Sequence, residues 1–371
     1  MYMAKEALFW NNDGDNNVNC NLCAHGCRIA PGRCGRCAVR VNKDGILYSR
    51  VYGRVVAQNI DPVEKKPLYH FLPGSETFSI ATIGCNFKCS FCQNHEISQA
   101  AEFIENIGTN DDNDINTDNA HKVHTVSNVH KDIDSNDDIY GNTCIPPNAI
   151  VDAALRYKCK SVSFTYTEPT VFFEYALDVA KAAKAAGLRT VFVSNGFMTT
   201  ECLRAVAPYL DACNIDLKSF RDEFYRDKCG ARLTPVLESL KAIREAGIWL
   251  EVTTLVIGGL NDSDEELTGI ARYIVNDLGA DTPWHVSGFY PRYRMLSVPP
   301  TGAASIERAR EIGVGAGLRY VYGGNVNVYR DTRCPGCGGV LISRRGYETR
   351  VAGLVAGGVC GACGQKIRGI F

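Results

Sequence analysis

From Thr77 onward, apolar runs of strand length alternate with stretches of helical periodicity. The runs TFSIATIG, SVSFTYT, RTVFVSN, DACNIDL, WLEVTTLVI and PWHVSGFY predict six strands. Between them, VFFEYALDVAKAAKAAG and TPVLESLKAIREAG carry the helical pattern, and each ends in a glycine, the residue that most readily closes a helix. Strands alternating with helices imply a parallel sheet. Six such units can curl into a partial barrel whose chemistry sits at the C-terminal ends of the strands. The expected fold class is therefore α/β, with a partial (βα)6 barrel over residues 77–332. Ahead of it, residues 1–76 form a small Cys-rich module followed by GILYSRVYGRVVAQNI, whose alternation reads as a short hairpin. Behind it, residues 333–371 form a glycine- and cysteine-rich tail. Segment 105–142 breaks the rhythm: with eight Asn and eight Asp it offers little apolar surface against the entropy of ordering, and it reads as a disordered insertion.

Composition narrows the function classes. The chain has 371 residues and is 45% hydrophobic, enough for a sizeable core. It lacks an apolar run near the roughly 20 residues that span a bilayer, and it starts without the basic-then-apolar layout of a signal peptide. The expectation is a cytoplasmic protein with no membrane partner. The net charge is -1, and segment 105–142 carries -7 of it, leaving a surplus of +6 for the remainder. That is not the concentrated Lys/Arg stripe of a nucleic-acid binder, so nucleic acid is not the favoured partner. Seventeen cysteines in a reduced compartment argue for metal rather than disulfides. Twelve fall into three tight clusters, whereas Cys144, Cys159, Cys202, Cys213 and Cys229 stand singly and read as buried packing residues.

The middle cluster, GCNFKCSFCQN, places Cys85, Cys89 and Cys92 directly after the first barrel strand with spacing C-x3-C-x2-C. Three thiolates on one loop can hold three irons of a cubane cluster and leave the fourth iron open to a substrate, the logic that separates catalytic from structural metal sites. Zinc binding or simple burial is the alternative. Phe87 and Phe91 between the ligands would shield a cluster from water. In the tail, Cys334-Pro-Gly-Cys337-Gly and Cys360-Gly-Ala-Cys363-Gly are two knuckles whose four thiolates complete a tetrahedron, a zinc-ribbon arrangement with rubredoxin-like iron as the competing occupant. Little apolar sequence surrounds the knuckles beyond Val340, Leu341 and Ile342, so metal is expected to supply much of the tail's folding free energy, and its loss to leave the barrel working. The first cluster packs Cys20, Cys23, Cys27, Cys34 and Cys37 into eighteen residues. Such density means metal, but the spacing leaves zinc and a second cluster both open, and His25 could replace one thiol.

On these motifs the chain resembles the radical S-adenosylmethionine (SAM) superfamily. Within it, the chain more closely resembles one branch, the AmmeMemoRadiSam-system enzymes, relatives of the pyruvate formate-lyase activating enzymes. The resemblance runs from CNLCAHGC through DPVEKKPLYHFLPG and GCNFKCSFCQN to the tail, omitting only the Asn/Asp-rich insertion. It implies that a 4Fe-4S cluster on Cys85, Cys89 and Cys92 chelates SAM at its open iron and cleaves it when reduced. The products are methionine and a 5'-deoxyadenosyl radical, which abstracts hydrogen from a substrate that the sequence does not identify. It also implies a one-electron reductant of ferredoxin or flavodoxin type, and either a protein substrate or Memo-type and AMMECR-type partners. The family pattern assigns Cys20, Cys23, Cys27 and Cys37 as the N-terminal ligands, with Cys34 additional.

Further residues follow from the same resemblance. Tyr166-Thr167-Glu168-Pro169 is similar to a Gly-Gly-Glu-Pro motif that receives the methionine ammonium, with both glycines replaced; taken alone, Glu168 is a helix N-terminal acid. Ser194, Asn195, Asp216 and Lys218 are similar to positions lining the cofactor site of glycyl-radical activating enzymes. Asp216 and Lys218 share one face of a strand, and a structural salt bridge is the other reading. Thr254, Val256 and His285 fall where that family contacts ribose, adenine or methionine carboxylate, although a strand histidine can equally be structural. Two alternatives remain open: an activase that makes a glycyl radical on a protein, and an iron–sulfur electron carrier without SAM chemistry.

Overall fold

A computed structural model describes residues 5–100, 144–328 and 330–371; the Asn/Asp-rich insertion, 105–142, lies outside the described residues. At its centre is an eight-stranded sheet. The strands are β1 (Ala57–Pro62), β2 (Glu76–Ala81), β3 (Ser161–Phe164), β4 (Arg189–Ser194), β5 (Ala212–Asp216), β6 (Trp249–Val256), β7 (Trp284–Gly288) and β8 (Val321–Gly324), adjacent in that order. Strands β2 to β8 are parallel, and β1 runs antiparallel to β2, so the sheet is mixed. The strand β3 is buried on both faces, serines included, as a sheet covered by helices on its outer side requires.

The six expected strands correspond to β2 through β7. Two strands escaped the sequence. The β8 strand is only VYGG, too short and glycine-rich to register as a run. The β1 strand corrects the expected hairpin: Ile46–Ser49 does pair with Arg40–Lys43 across Asp44-Gly45, but Ala57–Pro62 leaves that unit and pairs with β2. Helices Phe173–Ala185 and Thr234–Glu245 fill the predicted helical stretches. Each closes through a left-handed glycine, Gly187 at φ +79 and Gly247 at φ +75. Among the described residues, no helix is long and apolar enough to cross a membrane.

The N-terminal module is bolted to helix Phe173–Ala185 by a buried ion pair. Arg40 reaches Glu174 at 2.8 Å, and the Leu8 amide donates to the same carboxylate at 2.7 Å. Tyr52 adds a hydroxyl bond to Asp178 at 2.7 Å. Arg40 also donates to the Leu8 carbonyl, while its Nε and the second Glu174 oxygen are buried without a hydrogen-bond partner among the described residues.

At the opposite edge, segment 63–75 crosses the N-terminal ends of the strands. Val63, Leu68 and Phe71 pack there against Val191 and Ala212. Glu251 on β6 receives four donors: the amides of Tyr69 (2.9 Å) and His70 (2.8 Å), the Trp249 indole (3.0 Å) and His285 Nε2 (2.7 Å). The tail closes over this layer. Arg344 donates to the Tyr69 carbonyl at 2.7 Å, the Ile370 amide to the His70 carbonyl at 2.8 Å, and Leu341 and Ile342 bury against Tyr69, Tyr320 and Tyr322. The tail therefore shares its core with the sheet, which revises the expectation that metal supplies much of its folding free energy and that its loss would leave the barrel working.

This layer contains an acid-sensitive group. Burial pulls the His70 imidazole down to about 4, while its ring nitrogens bond the Arg368 carbonyl at 2.9 Å and the Tyr322 hydroxyl at 2.7 Å. Between that value and the usual 6.5, the unfolded chain binds more protons than the folded one. Stability present above pH 6.5 is therefore lost as the pH falls toward 4, by on the order of 2 kcal/mol at pH 5. Urea unfolding at pH 7 and pH 5 should register the loss. His70→Phe, less stable at pH 7, should show a shallower dependence; an unchanged slope would place the acid sensitivity elsewhere.

Candidate functional site

A cavity of about 580 Å³ opens at the C-terminal ends of the parallel strands. Its walls include Asn59 of β1, Val193 of β4, Asn214 of β5, Thr253 of β6 and Ser287 of β7, so the sheet curls around it. Cys85, Cys89 and Cys92 stand together on one wall. The chain leaves β2 through Gly84 at φ +99, where a Cβ would meet a Val39 methyl at 2.6 Å; glycine alone lets the cysteine loop pass beneath the N-terminal module.

The three thiols are prepared in different ways. Cys85 Sγ accepts from the Phe87 amide at 3.3 Å and the Asn195 side-chain amide at 3.9 Å, and Cys92 Sγ lies 3.2 Å from the Ser98 hydroxyl. Cys89 lies against the thiol of Cys229, a contact that, with burial, pushes its ionisation well up; burial pushes Cys85 up as well. Cys229 had read as a packing residue, and no local signal in the sequence places it beside the triplet. Phe87 and Phe91 are buried between the ligands and stack edgewise or obliquely on Phe197, Tyr225 and Phe224.

The donor set fits an iron–sulfur cluster. Buried thiols held protonated in the bare protein are those a metal deprotonates on binding. Among the described residues, the tail's Cys334, Cys337, Cys360 and Cys363 form the group of potential ligands drawn within 4.8 Å of one another, a spacing suited to a single ion. Cys85, Cys89 and Cys92 are not gathered that tightly, which suits one thiolate per iron of a cluster. The N-terminal Cys20, Cys23, Cys27 and Cys37 are likewise wider; Cys20 faces Cys27 across a strand pair, Cys23 bridges to Met198, and Cys34 is engaged separately by Arg50 at 3.7 Å. In the tail, backbone amides of Cys363 and Ala362 pull the Cys360 thiol down to about 7, toward the metal-binding thiolate.

Glu168, Ser194, Asn195, Asp216 and Lys218 line the same cavity. Glu168 caps the short helical turn Pro169–Phe172 by accepting from the Thr170 amide (3.0 Å) and hydroxyl (2.6 Å). It also accepts from the Ser194 hydroxyl (2.7 Å) and the Asn195 amide (2.8 Å), tying the end of β3 to the end of β4. Burial nevertheless raises its ionisation above the usual carboxylate value, against those four bonds. Lys218 and Asp216 pair at 2.8 Å. Burial works against the lysine's charge, but Asp216 and the neighbouring thiols outweigh it and hold the ammonium well above its ordinary range. Preceding Glu168, Tyr166 adopts φ +63, a conformation natural to glycine.

Three expected residues do not reach the cavity. Thr254 and Val256 lie on the opposite face of β6, where Thr254 accepts from the Trp284 indole at 2.9 Å and donates to the Leu217 carbonyl at 2.8 Å; Thr253 and Leu255 face the cavity instead. His285 has the right face but sits at the start of β7, where it serves Glu251; Ser287, two residues on, lines the cavity.

The sequence profile of the Radical SAM superfamily matches residues 79–274, more than half of the chain. The chain belongs to the radical SAM superfamily. It is a radical SAM enzyme, and its chemistry is the generation of a 5'-deoxyadenosyl radical from SAM on an iron–sulfur cluster. It is 38% identical over 366 residues to an uncharacterized protein of Methanocaldococcus jannaschii, covering 98% of each chain. Over 147 residues it is 25% identical to the isethionate sulfite-lyase activating enzyme of Desulfovibrio desulfuricans, a match spanning 38% of this chain and less than half, 47%, of that one. Among solved structures, a radical SAM methyltransferase from Sphaerobacter thermophilus is similar at 14% identity and TM-score 0.47, covering 73% of this chain and 71% of that one.

In this radical SAM enzyme the Glu168 carboxylate is the brace between two strand ends. Glu168→Ala strands four buried donors and should cost about 3 kcal/mol in chemical denaturation. A loss below about 1 kcal/mol would mean that the Ser194–Asn195 turn is held by other contacts.

Proposed function

We propose that this radical SAM enzyme is an activase that draws a hydrogen atom from a glycine of a protein partner. The observation that carries the reading is the loop fastened beside the cavity's cysteine wall. Loop 290–298 is fastened to the cysteine loop, the Arg294 amide donating to the Ser90 carbonyl at 3.1 Å and the Gln93 side chain to the Tyr290 carbonyl at 3.2 Å. It exposes Tyr290, Arg292, Arg294 and Leu296, the last at 71%. Aromatic, arginine and leucine side chains grouped beside a reaction cavity suit a macromolecular surface. The relatives named as activating enzymes support the same reading.

Cys85, Cys89 and Cys92 would hold the 4Fe-4S cluster, which supplies the electron that cleaves SAM. The chain's own residues do the rest. The Phe87 and Asn195 amides at Cys85 and the Ser98 hydroxyl at Cys92 drain charge from the sulfurs and so tune the potential, while Phe87 and Phe91 exclude water. Glu168 fixes the Ser194–Asn195 wall, and the Asp216–Lys218 pair presents a fixed dipole to whatever the cavity holds.

We read the curled sheet as the partial barrel of this superfamily and the tail as a zinc ribbon, with Cys20, Cys23, Cys27 and Cys37 a further metal site. The resemblance to the AmmeMemoRadiSam-system enzymes makes Memo-type and AMMECR-type proteins candidates for the same loop. A cytoplasmic ferredoxin or flavodoxin is the fitting reductant.

The test is anaerobic reconstitution, reduction with dithionite and addition of SAM and a candidate glycyl-radical partner. Methionine and 5'-deoxyadenosine should appear together with a glycyl radical signal on the partner by electron paramagnetic resonance, and all should vanish in Cys85→Ala, Cys89→Ala and Cys92→Ala. Deoxyadenosine formed with hydrogen drawn from a non-glycine position would overturn the activase reading. Cys360→Ser should lose one equivalent of zinc by elemental analysis. Because the tail shares its core with Tyr69 and Tyr322, the variant should also melt at a lower temperature throughout, and an unchanged melting curve would count against the shared core.

A further inference from the structure

The inner end of the cavity, away from the thiols, is built around a charge imbalance. Asp61 on β1 receives Lys65 Nζ at 2.8 Å on one oxygen and Lys66 Nζ at 2.5 Å on the other, with the Tyr166 hydroxyl added to the second. Two ammonium groups share one carboxylate. Among the described residues, the charged groups acting on Lys66 are Asp61 and Lys65, so the three together carry a net positive charge. Both lysines line the cavity, and Lys66 is only 1% exposed.

A purely structural role would need one lysine for one aspartate. Lys66 is buried against Asp61, whereas Lys65, its side chain 43% exposed, adds a second positive charge at the cavity wall on the same carboxylate. An ammonium carries three N–H donors. Among the described residues, Lys66 spends one on Asp61, and its charge lies 4.4 Å over the Tyr166 ring. Tyr166 holds a left-handed backbone to place that ring and hydroxyl, and its carbonyl is fixed by Asn94 at 2.7 Å. Strain at a non-glycine residue persists where its surroundings enforce it, commonly at ligand sites. At the thiol end, by contrast, Lys218 is already matched by Asp216.

We propose that Lys66 and Lys65, set by Asp61 and Tyr166, form a subsite for a carboxylate carried by the substrate. The subsite rests on the radical reading only in that the opposite end of the same cavity generates the radical. Positive charge at one end and reacting centre at the other would orient a substrate along the cavity. The carboxylate can come from a small organic acid or from an acidic side chain of an inserted polypeptide loop.

The test uses the oxidised, reconstituted full chain with SAM bound. Calorimetry compares succinate with succinamide, and a blocked Asp-containing hexapeptide with its Asn counterpart. At pH 7, one acid should bind at least tenfold more tightly than its amide, and which of the two does so identifies the source. Lys66→Met should abolish the preference. Lys65→Met, at a half-exposed side chain whose replacement spares the fold, should reduce it about tenfold. In the wild type the preference should fade between pH 7 and pH 9, since burial brings Lys66 down to about 8 and the ammonium is lost above that value. Equal binding of acid and amide by the wild type, or a full preference retained in Lys65→Met, overturns the subsite. Deoxyadenosine release by the reduced wild type is scored separately: release without acid preference sinks the subsite alone, and acid preference without release sinks the radical assignment alone.

Discussion

The Glu251 carboxylate is the contact on which the lower half of the molecule depends. It is fully buried, and its oxygens take two backbone amides of segment 63–75, an indole from its own strand and an imidazole from β7. Burial alone would push such a carboxyl up; His285 and the other donors outweigh that and hold it below its usual value. An anion so satisfied is rigid, because moving any donor leaves the charge unsolvated. Segment 63–75 is thereby pinned across the strand starts. That segment carries Lys65 and Lys66 into the cavity on one side and Tyr69 and His70 toward the tail on the other. The metal-binding tail and the inner end of the cavity are thus two faces of one short stretch of chain.

The N-terminal module is held at the other end by a buried ion pair that is less fully satisfied. Arg40 and Glu174 are both almost fully buried, and each is supplemented by backbone groups around Leu8. This pair fixes the module over Gly84, where the Cys37 carbonyl and Val39 leave no room for a side chain. His25 then bonds the Asn86 carbonyl at 2.7 Å, and the Asn86 side chain accepts from Asn195, which also donates to Cys85. The first cysteine cluster therefore abuts the backbone of the triplet, joined to its first sulfur through the side chains of His25, Asn86 and Asn195.

What the sequence disclosed and what it withheld divide along physical lines. Long apolar runs and glycine-ended helices expose β2 to β7 and their connections, because burial on both faces leaves an unbroken apolar signal. The β1 strand, AQNIDP, has intermediate burial and a polar composition, and its partner lies across a turn of thirteen residues, so nothing local marks it as part of the sheet. The triplet is legible because its ligands are adjacent in sequence. Cys229 beside Cys89 is not, since that contact depends on how the loop after β5 folds back.

The site residues on β6 show the same limit at finer scale. Asp216 faces the cavity, and in register across the parallel pair it stands beside Thr253, not Thr254. Side chains alternate, so a register error of one residue turns a wall of the cavity into a helix-facing contact. Thr254 and Val256 turn away from the cavity for that reason alone. His285 differs: the face is right and in register it stands beside Thr253, but its ring is taken up by Glu251. Charge balance separates two chemistries within one sheet. Glu251 is buried and saturated by its donors. At the strand ends Asp216 balances Lys218, whereas Asp61, opposite Thr77 at the start of β2, holds both Lys65 and Lys66 at the cavity wall. A fold that spends four donors to quiet one carboxylate, and leaves a cation unmatched a few residues away, has placed its remaining charge where a ligand can meet it.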